Sequence, residues 1–138
     1  MNKYTMSDIR IGLKESFTVE ITADMMSAFK AITGDINPLH TDREFAKANG
    51  YSDNVVYGML TSSFLSTLAG VYLPGENSLI REVEVKMKKA VYVGDKLTVT
   101  GEVSEINSDF NIFVMKVTIV NQNNEKVLRG KMQMGVLK

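Results

Sequence analysis

His40 is the only histidine in this chain of 138 residues, and it stands five positions after Asp35 in the segment Gly34-Asp-Ile-Asn-Pro-Leu-His40. Imidazole exchanges protons near neutral pH, and a neighbouring carboxylate offers a second potential acceptor; the unperturbed groups titrate near about 6.5 and 3.9. On a regular helix a five-residue offset would turn the two side chains well apart. Pro38 argues against such a helix, because it disfavours helical geometry at Asn37 and has no amide hydrogen to donate. The segment is therefore expected to be a loop of defined shape, whose Asn37-Pro38 turn folds Asp35 and His40 toward one small volume. Spacing alone assigns them no chemistry, since an aspartate after glycine often serves a turn and a single histidine is more often structural.

The elements that must hold this loop follow from patterning. Phe17, Val19 and Ile21 share one face of a short strand. Thr22 is then placed to cap a helix in which Met25, Phe29 and Ile32 recur at helical spacing until Gly34 ends it. Thr41-Asp-Arg-Glu44 reads as a capping box opening a short helix through Phe45 and Ala46, which stops near Asn49-Gly50. From Gly58 to Leu73 apolar residues spread around most of the helical circumference, which predicts a buried central helix; its shortness and its serines and threonines exclude a membrane span.

After Pro74-Gly75 come four segments of period two, carrying Val83, Val85 and Met87, then Leu97, Val99 and Val103, then Phe113, Met115, Val117 and Ile119, and finally Leu128, Met132, Met134 and Val136. Gly94-Asp95, Asn107-Ser108-Asp109 and Asn123-Asn124 separate these strands, so sequential neighbours are expected to pair antiparallel through short turns. The expected fold class is α+β: a curved antiparallel sheet around one apolar helix, in a single domain spanning residues 1–138.

Composition narrows the chemistry. Sixteen Lys and Arg balance sixteen Asp and Glu, leaving no electrostatic footprint for nucleic acid or an anionic membrane surface. The absence of cysteine removes disulfides, thiolate metal sites and a cysteine nucleophile, and a single histidine removes multi-histidine sites, so neither metal nor cofactor is expected. A hydrophobic share of 44% with 23% charged residues fits a globular protein. The polar stretch Met1 to Arg10 lacks the apolar run of a secretion signal, so a cytoplasmic location is expected.

Ile32-Thr-Gly-Asp-Ile-Asn-Pro-Leu-His-Thr-Asp42, followed by Phe45-Ala46 and then by Val56-Tyr-Gly-Met-Leu60, resembles the signature of the MaoC-like (R)-specific enoyl-CoA hydratases. Val91-Tyr-Val-Gly-Asp95 before a strand is similar to a further element of that family, and the order of elements agrees from Ile11 to the end of the chain. The resemblance implies a hot-dog fold, in which a sheet wraps a long central helix. It implies that Asp35 and His40 are a catalytic pair holding the water that adds to a trans-2-enoyl thioester to give an (R)-3-hydroxyacyl thioester. Asp35 would be the general base and His40 would orient the water and deliver a proton to C2, or the roles would be exchanged.

Gly58, where the central helix begins, has a backbone N–H suited to stabilising the enolate-like oxygen, and glycine permits close approach of the substrate. Ser66 is implied to help hold the histidine segment, and Asn37 to fix the turn. The implied partners are an acyl-CoA or acyl-carrier-protein thioester and a second copy of the chain, as a homodimer or higher homo-oligomer. Met59, Phe64, Met132 and Met134 are candidates for an acyl tunnel, and Lys86, Lys88 and Lys89 for phosphate contacts. The family commonly has histidine where this chain has Tyr57, a departure that leaves the pair in place and bears on the local lining and substrate preference.

Two other readings share the ligand class. A hot-dog thioesterase would direct water at the carbonyl and usually carries an acidic residue on or near its central helix, which Gly58 to Leu73 lacks. A non-catalytic acyl-thioester-binding module would bind without reaction; acting on DNA, it would carry a basic extension, and none is present.

Overall fold

Period-two patterning in the second half of the chain builds the sheet. The computed structural model describes residues 1–137. Its five strands are β1 (Lys14–Glu20), β2 (Ser78–Met87), β3 (Lys96–Asn107), β4 (Ile112–Val120) and β5 (Lys126–Val136), antiparallel in the order β1-β3-β4-β5-β2. β3 and β4 form a hairpin closed by Asn111 in the left-handed region, and β4 and β5 a second one closed by Asn124 in the same region. The registers set Val99 against Ile119, Met115 against Met132 and Ile119 against Leu128, so the apolar parity of three strands falls on one fully buried face.

One expected pairing is not formed. β2 and β3, neighbours in sequence, do not pair: β2 joins β5 at one edge, while β3 pairs with β1 at the other end of the sheet. Gly94-Asp95 is consequently not a hairpin turn. The Gly94 N–H donates to the Ile21 carbonyl and the Ile21 N–H to the Asp95 carbonyl, pinning the crossing segment to the end of β1. As an edge strand, β2 leaves Leu79, Val83 and Met87 exposed despite their apolar character.

Helix α1 (Ala23–Thr33) begins and ends as its caps dictate: the Met25 N–H donates to Thr22 Oγ1, and Gly34 leaves the helix at φ 71°. Two short helices follow, α2 (Pro38–Thr41) and α3 (Arg43–Ala48), then the central helix α4 (Gly58–Thr67), which widens into a π turn over Leu68–Tyr72. α4 lies on the apolar face of the sheet through Leu60, Thr61 and Leu65 and continues that contact with Leu68 and Ala69. The expectation of burial all round is corrected here. Met59 is 67% exposed, and Ser63 and Ser66 face outward, because one sheet covers only one side of a helix.

Candidate active site

The segment expected to be a loop contains a helical turn. Asp35 to Asn37 lies outside any helix or strand, but Pro38 then starts α2, because at the first helical position its missing N–H has no intrahelical partner to lose. Asn37 Oδ1 caps the turn by accepting from the Leu39 N–H at 2.9 Å. His40 therefore rides on a fixed turn. The cap of α3 is also displaced by one residue from the expected Thr41: Asp42 Oδ1 accepts from the N–H groups of Glu44 and Phe45 at 3.0 and 3.2 Å. Thr41 belongs to the preceding turn, and its hydroxyl donates to the Asn37 carbonyl at 3.3 Å.

Asp35 and His40 are each anchored by their neighbours. Asp35 Oδ1 accepts from the Asn37 N–H at 3.0 Å, which closes the bend, while the Asp35 N–H donates to Thr33 Oγ1 at 3.2 Å. The ring nitrogen Nδ1 of His40 lies 2.6 Å from the Val55 carbonyl oxygen. A carbonyl only accepts, so Nδ1 carries the hydrogen, and in the neutral ring Nε2 is left with a lone pair. Val55 is itself held by its N–H to the Leu39 carbonyl, and Val56 by its N–H to the Val91 carbonyl.

Tyr57 packs against both sides of this arrangement. Its ring centroid lies 4.2 Å from that of His40 and 4.8 Å from that of Phe29, and its hydroxyl donates to the Asp35 carbonyl at 2.7 Å. It is 2% exposed; burial pushes its phenol above the usual tyrosine range, and the negative charge of Asp35 adds to the effect. Gly58 opens α4 with an N–H that makes no hydrogen bond among the described residues, at the positive end of the helix dipole.

Asp35, His40, Tyr57 and Gly58 line one cavity of about 540 Å³, walled further by Phe29, Thr33, Met59 and Met87. A second cavity of about 290 Å³ shares His40, Gly58 and Met87 with it and extends past Val56 and Val91 to Lys88 and Lys89. Among the described residues no hydrogen bond joins the Asp35 carboxylate to His40; both residues line the same cavity.

Asn37 supports the turn through its cap and through the amide given to Asp35. Ser66 is not brought to the site. It lies eight residues beyond Gly58, an axial rise of about 12 Å along a helix, and its side chain is exposed. Of the four tunnel candidates only Met59 lines the larger cavity: Met132 and Met134 are wholly buried in the core, and Phe64 packs partly buried against it. Lys88 and Lys89 border the smaller cavity, with Lys89 paired to Glu125, whereas Lys86 does not reach it. Among the described residues no group of three or more His, Cys, Asp or Glu side chains is placed to hold a metal ion, and no helix is long and apolar enough to cross a membrane. Sequence reasoning missed the Val55 carbonyl and the tethering role of the Tyr57 hydroxyl, both lying just before Gly58.

A five-stranded sheet wrapped over a central helix, with a carboxylate, an imidazole and a free helix N–H around one cavity, places the molecule among the hot-dog folds. Residues 8–125 match the MaoC like domain, and the chain belongs to that family. It is 32% identical over 123 residues to an (R)-specific enoyl-CoA hydratase of Aeromonas caviae, covering 89% of this chain and 92% of that protein. It is 30% identical over 99 residues to a 3-hydroxybutyryl-CoA dehydratase of Methylorubrum extorquens, covering 72% of this chain and 63% of the relative. The solved structure of the (R)-hydratase from A. caviae involved in PHA biosynthesis superposes with a TM-score of 0.88 at 30% identity, over 93% of this chain and 97% of the other.

Proposed function

We propose that the protein is a hydro-lyase that hydrates trans-2-enoyl-CoA to (R)-3-hydroxyacyl-CoA, and reversibly dehydrates it, at the cavity bounded by Asp35, His40 and Gly58. The observation that carries this reading is the convergence of a carboxylate, an imidazole with a free acceptor nitrogen and an unspent helix N–H on one cavity of about 540 Å³. The whole chain acts as one MaoC-like domain, and the class of reaction follows the relatives it covers almost end to end.

The chemistry requires a nucleophilic water at C3 and a proton at C2. The thioester oxygen docks on the Gly58 N–H, which meets the negative charge that gathers on it as C3 is attacked. Asp35 and His40 Nε2 hold the water from two sides. Because Nδ1 is committed to the Val55 carbonyl, Nε2 is the group that takes the water proton as the C3–O bond forms. The imidazolium then returns a proton to C2 of the enolate, so H and OH have added across the double bond and the residues are regenerated. This differs from both allocations implied by the family resemblance: His40 serves as the base and as the donor to C2, and Asp35 as the group that orients the water.

The substrate is a coenzyme A thioester, with a carrier-protein thioester as the variant; Lys88, which borders the smaller adjoining cavity, offers either an equally unspecific anion contact. A homodimer belongs to the same proposal, in a cytoplasmic setting consistent with the cysteine-free composition. The exposed apolar side chains of edge strand β2 and of Met59 on α4 support pairing with a second copy.

The test is hydration of crotonyl-CoA by the purified protein, followed by loss of the enoyl-thioester absorbance with chiral analysis of the product. The (R)-3-hydroxy thioester is the expected product. No hydration of enoyl-CoA at any chain length refutes the proposal, and release of free thiol without hydration assigns the site to a thioesterase instead.

A further inference from the structure

Tyr57 touches the seats of both proposed catalytic groups with one rigid side chain. Its hydroxyl is bonded to the peptide carbonyl of Asp35 at 2.7 Å, while the ring that carries this hydroxyl lies 4.2 Å from the imidazole and tilted 32° to it. Phe29 on α1 backs the ring at 4.8 Å, and the residue is 2% exposed, so the side chain has little room to move. Its backbone leads directly into Gly58, and two residues earlier the same segment supplies the carbonyl that orients His40.

Val55 to Gly58 thus carries three separate fixtures. The Val55 carbonyl holds the imidazole, the Tyr57 hydroxyl holds the Asp35 peptide, and Gly58, whose N–H makes no hydrogen bond among the described residues, lines the cavity. Removing the hydroxyl would leave the first and third untouched. It would free only the Asp35 side of the bend, whose remaining ties are the local bonds from the Asn37 N–H and to Thr33 Oγ1.

We propose that Tyr57 is a positioning residue for the reaction, acting through its hydroxyl to hold the Asp35 carboxylate at a fixed reach from His40. The inference rests on the hydratase reading of the same site. Tyr57 reaches no reacting atom through the hydroxyl, which is spent on a backbone carbonyl; its effect passes through Asp35. Catalysis by two groups around one water is sensitive to small displacements of either, whereas binding of the thioester through Gly58 is not affected by where Asp35 stands.

The test compares wild type with Tyr57→Phe and, separately, each with Asp35→Asn added, using crotonyl-CoA hydration. Tyr57→Phe keeps the ring and should lower kcat by about fivefold to tenfold, the cost of one hydrogen bond, with KM changed by less than about twofold. If Tyr57 acts through Asp35, the second substitution removes the reason for the first to matter, so Tyr57→Phe should cost less than about twofold in the Asp35→Asn background. Because His40 is the only histidine, nitrogen NMR of histidine-labelled protein reads its tautomer in isolation, and Tyr57→Phe should preserve the Nδ1–H form. A kcat within about twofold of wild type overturns the inference. So does a fall in kcat accompanied by loss of the tautomer signature, or one of equal size in both backgrounds, since each of these marks a general structural effect. Where Asp35→Asn leaves no measurable rate, the kcat-against-KM split and the tautomer decide. Wild-type protein that fails to hydrate any enoyl thioester defeats the functional reading itself, whereas active wild type matched by an equally active Tyr57→Phe defeats only this inference.

Discussion

Substituting Gly58→Ala adds one methyl group where the two cavities meet. A Cβ built there lies 3.4 Å from Cε and 3.6 Å from Sδ of Met87, ordinary contacts with the end of a flexible side chain, and Gly58 is not among the residues with positive φ. The fold therefore accepts the methyl. Replacing glycine at a compatible position stabilises by about 0.4–1 kcal/mol, chiefly by restricting the unfolded chain, which corresponds to a Tm rise of about 1–4 °C for a domain of this size. Chemistry should move the other way. The alanine keeps its N–H, but the methyl occupies space needed by a carbonyl approaching to about 3 Å. Losing an oxyanion donor outright costs about 10²–10³ in kcat, so a displaced one is expected to cost at least about tenfold. Calorimetry and crotonyl-CoA kinetics on the same preparation read both effects. Wild-type kcat/KM with a raised Tm would refute the role given to the Gly58 amide, and a clear fall in Tm would refute the packing on which the design rests.

Three further outcomes are expected. Asp35→Asn and His40→Ala should each lower kcat by about two to four orders of magnitude. The Asp35 side chain is exposed and its substitution should leave Tm nearly unchanged, so near-normal rates in both variants would remove the pair from the chemistry. Asn37→Ala deletes the cap of α2 and should cost about 1 kcal/mol by chemical denaturation, with a fall in kcat because His40 rides on that turn; unchanged kcat would show that the turn holds without its cap. Burial first, and the Asp35 charge second, raise the Tyr57 phenol, so its contribution to stability is fully present below the ordinary tyrosine value of about 10 and is lost as pH rises through the higher folded value. The ultraviolet absorbance titration of Tyr57→Phe should accordingly lack a late-ionising phenol that wild type shows, and loss of an ordinary one would contradict the burial argument.

Much of the site was legible because its chemistry is local. Gly34, Asn37 and Pro38 shape the backbone by residue type alone, so the convergence of Asp35 and His40 could be read from the order of amino acids. The same reasoning misjudged Pro38, since proline both breaks a helix in its interior and favours the first position of one, and only the surroundings decide between the two. The Val55 carbonyl was invisible because a backbone oxygen carries no residue identity, although it is the atom that fixes the imidazole tautomer. Strand existence followed from alternation, and so did facing in β3, β4 and β5, but the apolar parity of β2 is largely exposed and strand order could not be read. β2 and β3 alternate as any hairpin partners would, and their separation to opposite sides of the sheet is set by the crossing segment tied to Ile21. Ser66 and Met59 face away from the sheet for a related reason, in that a pattern apolar on most sides does not say which side the sheet covers.

The most direct measurement is a crystal structure of Asp35→Asn with crotonyl-CoA bound. The expected result places the thioester oxygen about 3 Å from the Gly58 nitrogen, with C3 facing both residue 35 and Nε2 of His40, while Nδ1 still donates to the Val55 carbonyl. An acyl group seated outside this cavity, or a carbonyl turned away from Gly58 with C3 out of reach of His40, would contradict the account.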